Sequence, residues 1–323
     1  MVFQKQSLWL LATVFLFCSN PLAVAEEISF GTLRAFKQKA AAPDAPVVFI
    51  IPGSGRVNRD GDTPSGNMST YRLLAEELAE KGITSVRADK RGFYSSASVD
   101  VDPNAVTIDD FASDVRGWID QLMQEGGQEC IWLFGHNEGG FTALVAANQN
   151  QENICGLILA SVPGRKIGDL MREQLARNPA NAELLPAALS AIDSLEQKIA
   201  IDTTSLPESL ARAFRTSIQA FLMNFMQHDP VQLLSSLSIP SLILHGESDI
   251  HLSTVDAQNL HQANPKATLA LLSGVTHVLK DRPVGKSQRM IAYRDSTLPI
   301  SKAVIETITK YVLCQEEYHY SSE

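Results

Sequence analysis

The chain reads as an α/β protein with a mostly parallel central sheet, helices on both faces and a helical insertion. Three observations predict this. Short apolar runs alternate with amphipathic helical stretches along most of the 323 residues, the pattern of a sheet wound with covering helices. The apolar runs are continuous rather than alternating, as strands buried on both faces are. The interval from about residue 165 to 237 breaks the rhythm. It holds no strand-like run and is punctuated by Pro179, Pro186, Pro207 and Pro230, so it reads as several helices inserted between two strands.

In chain order, Val47–Ile51 (VVFII) is the first buried strand. Tyr71–Lys81 places Leu73, Leu74 and Leu78 on one helical face and stops at Gly82. Thr84–Ala88 is the next strand. Thr107–Met123 is a helix with Thr107 as N-cap and Asp109 and Asp110 in its first turn, where the helix dipole favours acids. Ile131–Phe134 is a strand, followed by a helix over Phe141–Asn148 after a glycine pair. Ile154–Ala160, Ser241–His245 and Thr268–Leu272 are later strands, and Lys302–Leu313 is the last helix.

The first 25 residues stand apart. Lys5 supplies a basic start, Leu8–Phe17 is a short apolar run, and Ala23-Val24-Ala25 offers a small-x-small cleavage site before Glu26 and Glu27. This is the pattern of a secretory signal peptide (residues 1–25), with the folded domain over residues 26–323. The apolar run is too short to span a bilayer, which needs about 20 residues. The expectation is an exported protein, periplasmic or secreted, with no membrane segment after cleavage. Cleavage removes Cys18 and leaves Cys130, Cys155 and Cys314. Cys130 and Cys155 each open a strand, so they pair if those strands are neighbours and otherwise remain thiols. No His/Cys spacing resembles a zinc site, so no metal is expected. The net charge is −9, and without clustered Lys and Arg this excludes nucleic acid as a partner.

The residues that carry chemistry begin at Ile131–Gly140, IWLFGHNEGG. A strand running into G-x-x-x-G-G and then a helix is the frame of the nucleophile elbow, G-x-S-x-G. Its glycines keep Cβ atoms out of a crowded bend, and the helix N-terminus aims free N–H groups at the reacting centre. The central residue here is Asn137. Pro52-Gly53-Ser54-Gly55 closes the first strand. The backbone N–H groups of Ser54 and Glu138 are therefore the candidate oxyanion donors. Asp249 follows the Ser241–His245 strand and His277 follows the Thr268–Leu272 strand. Elbow, acid and histidine thus occur in the order this fold uses, with Asp249 orienting His277 and His277 as general base. His136, Asp256 and His251 are weaker alternatives. Candidates to line a pocket are Phe214, Phe221, Met223, Phe225, Met226 and Arg165, although the five apolar residues equally suit a core within the insertion.

From about Gly31 to Tyr311 the chain resembles the α/β-hydrolase fold superfamily, within it the exported serine aminopeptidase and esterase-like hydrolases. The resemblance is carried by PGSGRVNRDGD at Pro52–Asp62, ADKRGFYSS at Ala88–Ser96, GHNEGG at Gly135–Gly140, DPVQLLSSLSIPSLILHGESDI at Asp229–Ile250 and GVTHVLK at Gly274–Lys280. It implies a helical cap at about 165–237 after the sixth strand, and ester or acyl hydrolysis without a cofactor. The ligand it implies is a small ester, acyl or peptide molecule. By position it makes Asp249 and His277 the acid and base, and Ser54 and Glu138 the oxyanion donors. The family has serine at Asn137 and usually glycine near Tyr94, so the Lys90–Ser96 loop is expected to differ in shape.

Asparagine changes the expectation of activity. Its amide nitrogen is tied up in resonance and cannot form the acyl-enzyme that a serine hydroxyl forms. Four readings are open. The chain binds a ligand with weak or no turnover; it hydrolyses with a substitute nucleophile, either water activated by His277 or the Ser54 hydroxyl; it carries an altered residue where the natural protein has serine; or Asn137 deamidates to aspartate.

Overall fold

A computed structural model describes residues 25–98, 100–284 and 290–320, with side chains to residue 315. The signal-peptide reading falls on residues 1–24, outside the described residues, and on Ala25, which opens the first strand.

The strands buried on both faces are β3 (Val47–Ile51), β4 (Thr84–Ala88), β5 (Ile131–His136), β6 (Ile154–Ala160) and β7 (Ser241–Gly246). β8 (Thr268–Leu272) lies at the edge and is half-buried. β1 (Ala25–Phe30) and β2 (Leu33–Gln38) form a hairpin through Gly31, at φ 56°. The strand order is β1-β2-β4-β3-β5-β6-β7-β8, with β3 to β8 parallel and β2 antiparallel to β4. β1 and β2 were not expected. β1 alternates between exposed and partly buried positions and β2 mixes buried with partly buried ones, so neither shows a continuous apolar run.

Successive strand residues feed opposite faces. Phe49 and Leu133 pack with α2 (Ile108–Glu125) and α3 (Glu138–Gln149). Val48, Ile50, Trp132 and Phe134 pack with α1 (Thr70–Glu80) and the last helix (Lys302–Tyr320). Thr107 caps α2 as expected. Its hydroxyl accepts from the Asp110 N–H, and Asp110 accepts from the Thr107 N–H. Cys130 and Cys155, at the starts of neighbouring β5 and β6, form a disulfide, and Cys314 is free and exposed.

Between β6 and β7 come α4 (Ile167–Arg177), α5 (Leu185–Glu196), α6 (Glu208–Ala213), α7 (Thr216–Phe225) and α8 (Pro230–Ser235). α5, α6 and their neighbours enclose a separate apolar core of Ala188, Ile192, Leu195, Leu210, Phe214 and Met226. α8 instead joins the main core through Leu234. The cap is tied to the body by Arg165. Its guanidinium grips the fully buried Asp256 with two hydrogen bonds, of 2.9 and 2.8 Å, and also pairs with Glu173. Arg165 is therefore a strut between the cap and the body, and it lines neither of the two cavities beside the elbow. Asp256 is its partner and stands outside the histidine site.

Candidate active site

The elbow is where β5 ends. Asn137 sits at φ 53°, ψ −116°, and α3 begins at the next residue rather than at Phe141. A left-handed φ is costly for most side chains and mildest for Asn. The glycines around it admit no Cβ. One on Gly135 would lie 2.3 Å from Gly140 Cα, one on Gly139 2.2 Å from the Ile51 oxygen, and one on Gly140 2.1 Å from Val162 Cγ2. Strand, helix and oxyanion loop are thus pressed backbone to backbone, and this fixes the position of residue 137.

The loops after β7 and β8 bring Asp249 and His277 to the same point. The Asn137 amide Nδ2 donates to His277 Nε2 at 3.1 Å, and His277 Nδ1 donates to Asp249 Oδ2 at 2.7 Å. The other Asp249 oxygen accepts the N–H groups of His251 (2.7 Å) and Leu252 (3.0 Å). Burial pushes the Asp249 carboxyl up. The His277 ring and those N–H groups outweigh burial and hold it well below the usual carboxylate range. The amide N–H of Asn137 therefore takes the place that a serine O–H takes against the histidine of a hydrolytic triad. Among the described residues, neither the Ser54 nor the Glu138 backbone N–H donates to a protein acceptor. Both remain available to an oxygen placed over the elbow.

A second, fully buried chain lies behind the site. The Gly53 N–H donates to the Tyr71 hydroxyl (2.8 Å), which donates to His136 Nδ1 (2.8 Å), and His136 Nε2 donates to the His277 carbonyl (2.8 Å). His136 is thus a brace between the oxyanion loop and the backbone of His277, not the base. Burial, reinforced by the neighbouring His277 ring, pushes its pKa down to about 3. The folded protein keeps His136 neutral while the unfolded chain charges it below about pH 6.5. Its stabilising contribution is full above that pH and drains away as pH falls towards 3, at about 1.4 kcal/mol per pH unit. Urea unfolding between about pH 6.5 and 4.5 is expected to show this slope in the wild type and a shallower one in His136→Gln. Equal slopes would remove His136 from the acid response.

His251 stacks edge-on against His277, with ring centroids 4.8 Å apart, and is likewise not placed as the base. The buried Lys90 ammonium donates to the Gly53 carbonyl (2.8 Å) and to Glu138 Oε1 (3.0 Å). It clamps the two strand ends that carry the Ser54 and Glu138 N–H groups, the candidate oxyanion donors. Neither Tyr71 nor Lys90 was picked out from the sequence. Tyr71 belongs to the buried face of α1 and Lys90 to a charged loop, and only their partners give them roles. Tyr94 takes φ 46° and donates its hydroxyl to the Arg56 carbonyl.

A cavity of about 380 Å³ lies over Asn137, lined by Ser54, Ile167, Leu170, His251 and His277. A second, of about 540 Å³, lies on the other side of Gly55 and Glu138, under α7. Phe221 lines it. The other aromatic and Met candidates do not. Phe214 and Met226 fill the cap core, Met223 packs against it, and Phe225 meets Phe141 edge-on in the main core. Their spacing served helix packing rather than the pocket. Among the described residues no cluster of His, Cys, Asp and Glu is placed to hold a metal ion.

A family model described as serine aminopeptidase, S33, matches residues 65–281, more than half of the chain. No curated protein matches the sequence. Among solved structures, the chain is similar to Est1E from Butyrivibrio proteoclasticus bound to ferulic acid. The TM-score is 0.58 at 16% identity, covering 88% of this chain and 96% of that one. It is also similar to a proline iminopeptidase of Mycobacterium smegmatis, with TM-score 0.58 at 12% identity over 92% and 100% of the two chains. A thermophilic esterase from Thermogutta terrifontis gives TM-score 0.52 at 17% identity over 91% and 99%. At such identities these likenesses establish the fold.

Proposed function

The chain belongs to the serine aminopeptidase S33 family of α/β hydrolases, and from that premise we propose that it binds a small ester, acyl or peptide ligand at the elbow with weak or no turnover. One observation carries this reading. The side chain facing His277 Nε2 is the amide of Asn137 at 3.1 Å. A histidine can raise the nucleophilicity of a hydroxyl by taking its proton, but an amide nitrogen keeps its lone pair in resonance and forms no acyl-enzyme. What remains is binding machinery: two free N–H donors for a carbonyl oxygen, a braced histidine and a lined cavity. In this reading Asp249 and His277 are the acid and base of the parent reaction, and Ser54 and Glu138 its oxyanion donors. The basic–apolar–small pattern of residues 1–25 and the Cys130–Cys155 disulfide support export to an oxidising compartment, periplasmic or extracellular. Among the described residues no helix is long and apolar enough to cross a membrane.

The test uses the wild-type protein. It is expected to release nitrophenol from short-chain nitrophenyl esters slowly or not at all, at a rate that His277→Ala leaves unchanged, while the anilide analogues bind in the calorimeter. Turnover that disappears in His277→Ala would overturn the reading and require a substitute nucleophile.

A further inference from the structure

The larger cavity, beside the elbow, has walls and a rim of different character. Phe93, Val106, Phe111, Ile218 and Phe221 supply apolar surface, and Arg56, after the Pro52–Gly55 loop, and Arg215, from the cap, are among the polar residues of the lining. Both arginines are exposed. Among the described residues neither pairs with a carboxylate. Arg215 reaches the Arg212 carbonyl at 3.5 Å, and Arg56 makes no side-chain hydrogen bond. Glu138, the acid in the lining, is held by Lys90. A protein with net charge −9 therefore presents two guanidinium groups, neither paired with a carboxylate among the described residues, in the lining of a largely apolar chamber. The same lining includes Gly55 and Glu138, next to the candidate oxyanion donors.

We infer that this chamber takes an acyl group with a second, anionic end: the half-ester of a dicarboxylic acid, its apolar chain along Phe93, Phe111 and Phe221 and its free carboxylate between Arg56 and Arg215. The inference rests on the reading of the elbow as a ligand-binding site, with the ester carbonyl over Ser54 and Glu138. Guanidinium suits this task because it stays charged and its N–H fork matches a carboxylate. An apolar wall strengthens the attraction by lowering the local dielectric. A chain ending in a methyl group or a neutral ester would leave both cations unpaired.

The experiment is calorimetric titration of the wild-type protein with monomethyl suberate and with dimethyl suberate. The half-ester is expected to bind about tenfold tighter, the worth of one charge-assisted contact, and to lose that preference at high salt. Arg56→Gln/Arg215→Gln should abolish the difference between the two esters, and Arg56→Lys/Arg215→Lys should restore part of it, which separates charge from damage to the fold. Equal binding of the two esters, or an undiminished preference in the glutamine variant, overturns the anionic-end inference and leaves the ligand-binding reading standing. Binding of neither ester also overturns it. In that case the anilide titration of the wild type shows whether the ligand-binding reading falls with it.

Discussion

Asn137→Ser is expected to turn this protein into an esterase, with turnover of a short-chain nitrophenyl ester rising at least about 10³-fold over the wild type. Loss of a triad nucleophile costs about 10⁶ in kcat where it has been measured, and the oxyanion hole and binding alone leave about 10³–10⁴ over water. Everything except the hydroxyl is already in position. His277 Nε2 faces residue 137, its Nδ1–H is spent on Asp249 at 2.7 Å, and the Ser54 and Glu138 N–H groups are free. A serine Oγ would donate to the nitrogen that the asparagine amide now occupies. The substitution carries a stability cost of up to about 1 kcal/mol, because serine tolerates φ 53° less well than asparagine. Greater activity together with a slightly lower melting temperature is therefore the signature. His277→Ala in the serine background should return the rate to the wild-type level. A folded Asn137→Ser protein as silent as the wild type, on short and long esters alike, would show that the frame does not support acyl transfer.

Lys90→Met is expected to destabilise the protein by about 3–5 kcal/mol, the cost of leaving one partner of a buried ion pair uncompensated. The Lys90 and Glu138 side chains are 8% and 7% exposed, so water cannot replace the lost ammonium around the carboxylate. The Gly53 carbonyl loses its donor as well. The double variant Lys90→Met/Glu138→Met removes both charges and should recover most of the loss in urea unfolding, since an apolar pair of similar volume avoids the desolvation cost. A single variant within about 0.5 kcal/mol of wild type, the range of ordinary surface changes, would mean that the pair is solvated and clamps nothing.

Much of this protein was legible as a linear text. β3, β5, β6 and β7 announced themselves because a strand buried on both faces is largely apolar, and the turn chemistry of Thr107 and Gly82 marked helix ends correctly. The elbow was legible because its constraint is local: three glycines within six residues, each pressed against backbone. The order of Asn137, Asp249 and His277 followed from where strand ends lie in a parallel sheet. Other features could not be read this way. β1 and β2 are short, charged and half-exposed, and their pairing is defined by the strand beside them. Phe214, Phe225 and Met226 are apolar residues that fit a pocket or a core equally well, and the packing of α3, α5 and α6 put them in cores. The disulfide required β5 and β6 to be neighbours.

Sequence alone gave the fold class, the G-x-x-x-G-G frame and asparagine at its centre, because these depend on residue type and local spacing. The distance from Asn137 to His277, the bracing of that histidine by His136 and Tyr71, the Lys90–Glu138 clamp and the two free arginines were settled only in three dimensions. Each joins side chains from loops and strand ends far apart in the chain. Their interaction energies depend on burial and on distances of a few ångströms, quantities that have no value until the sheet has closed.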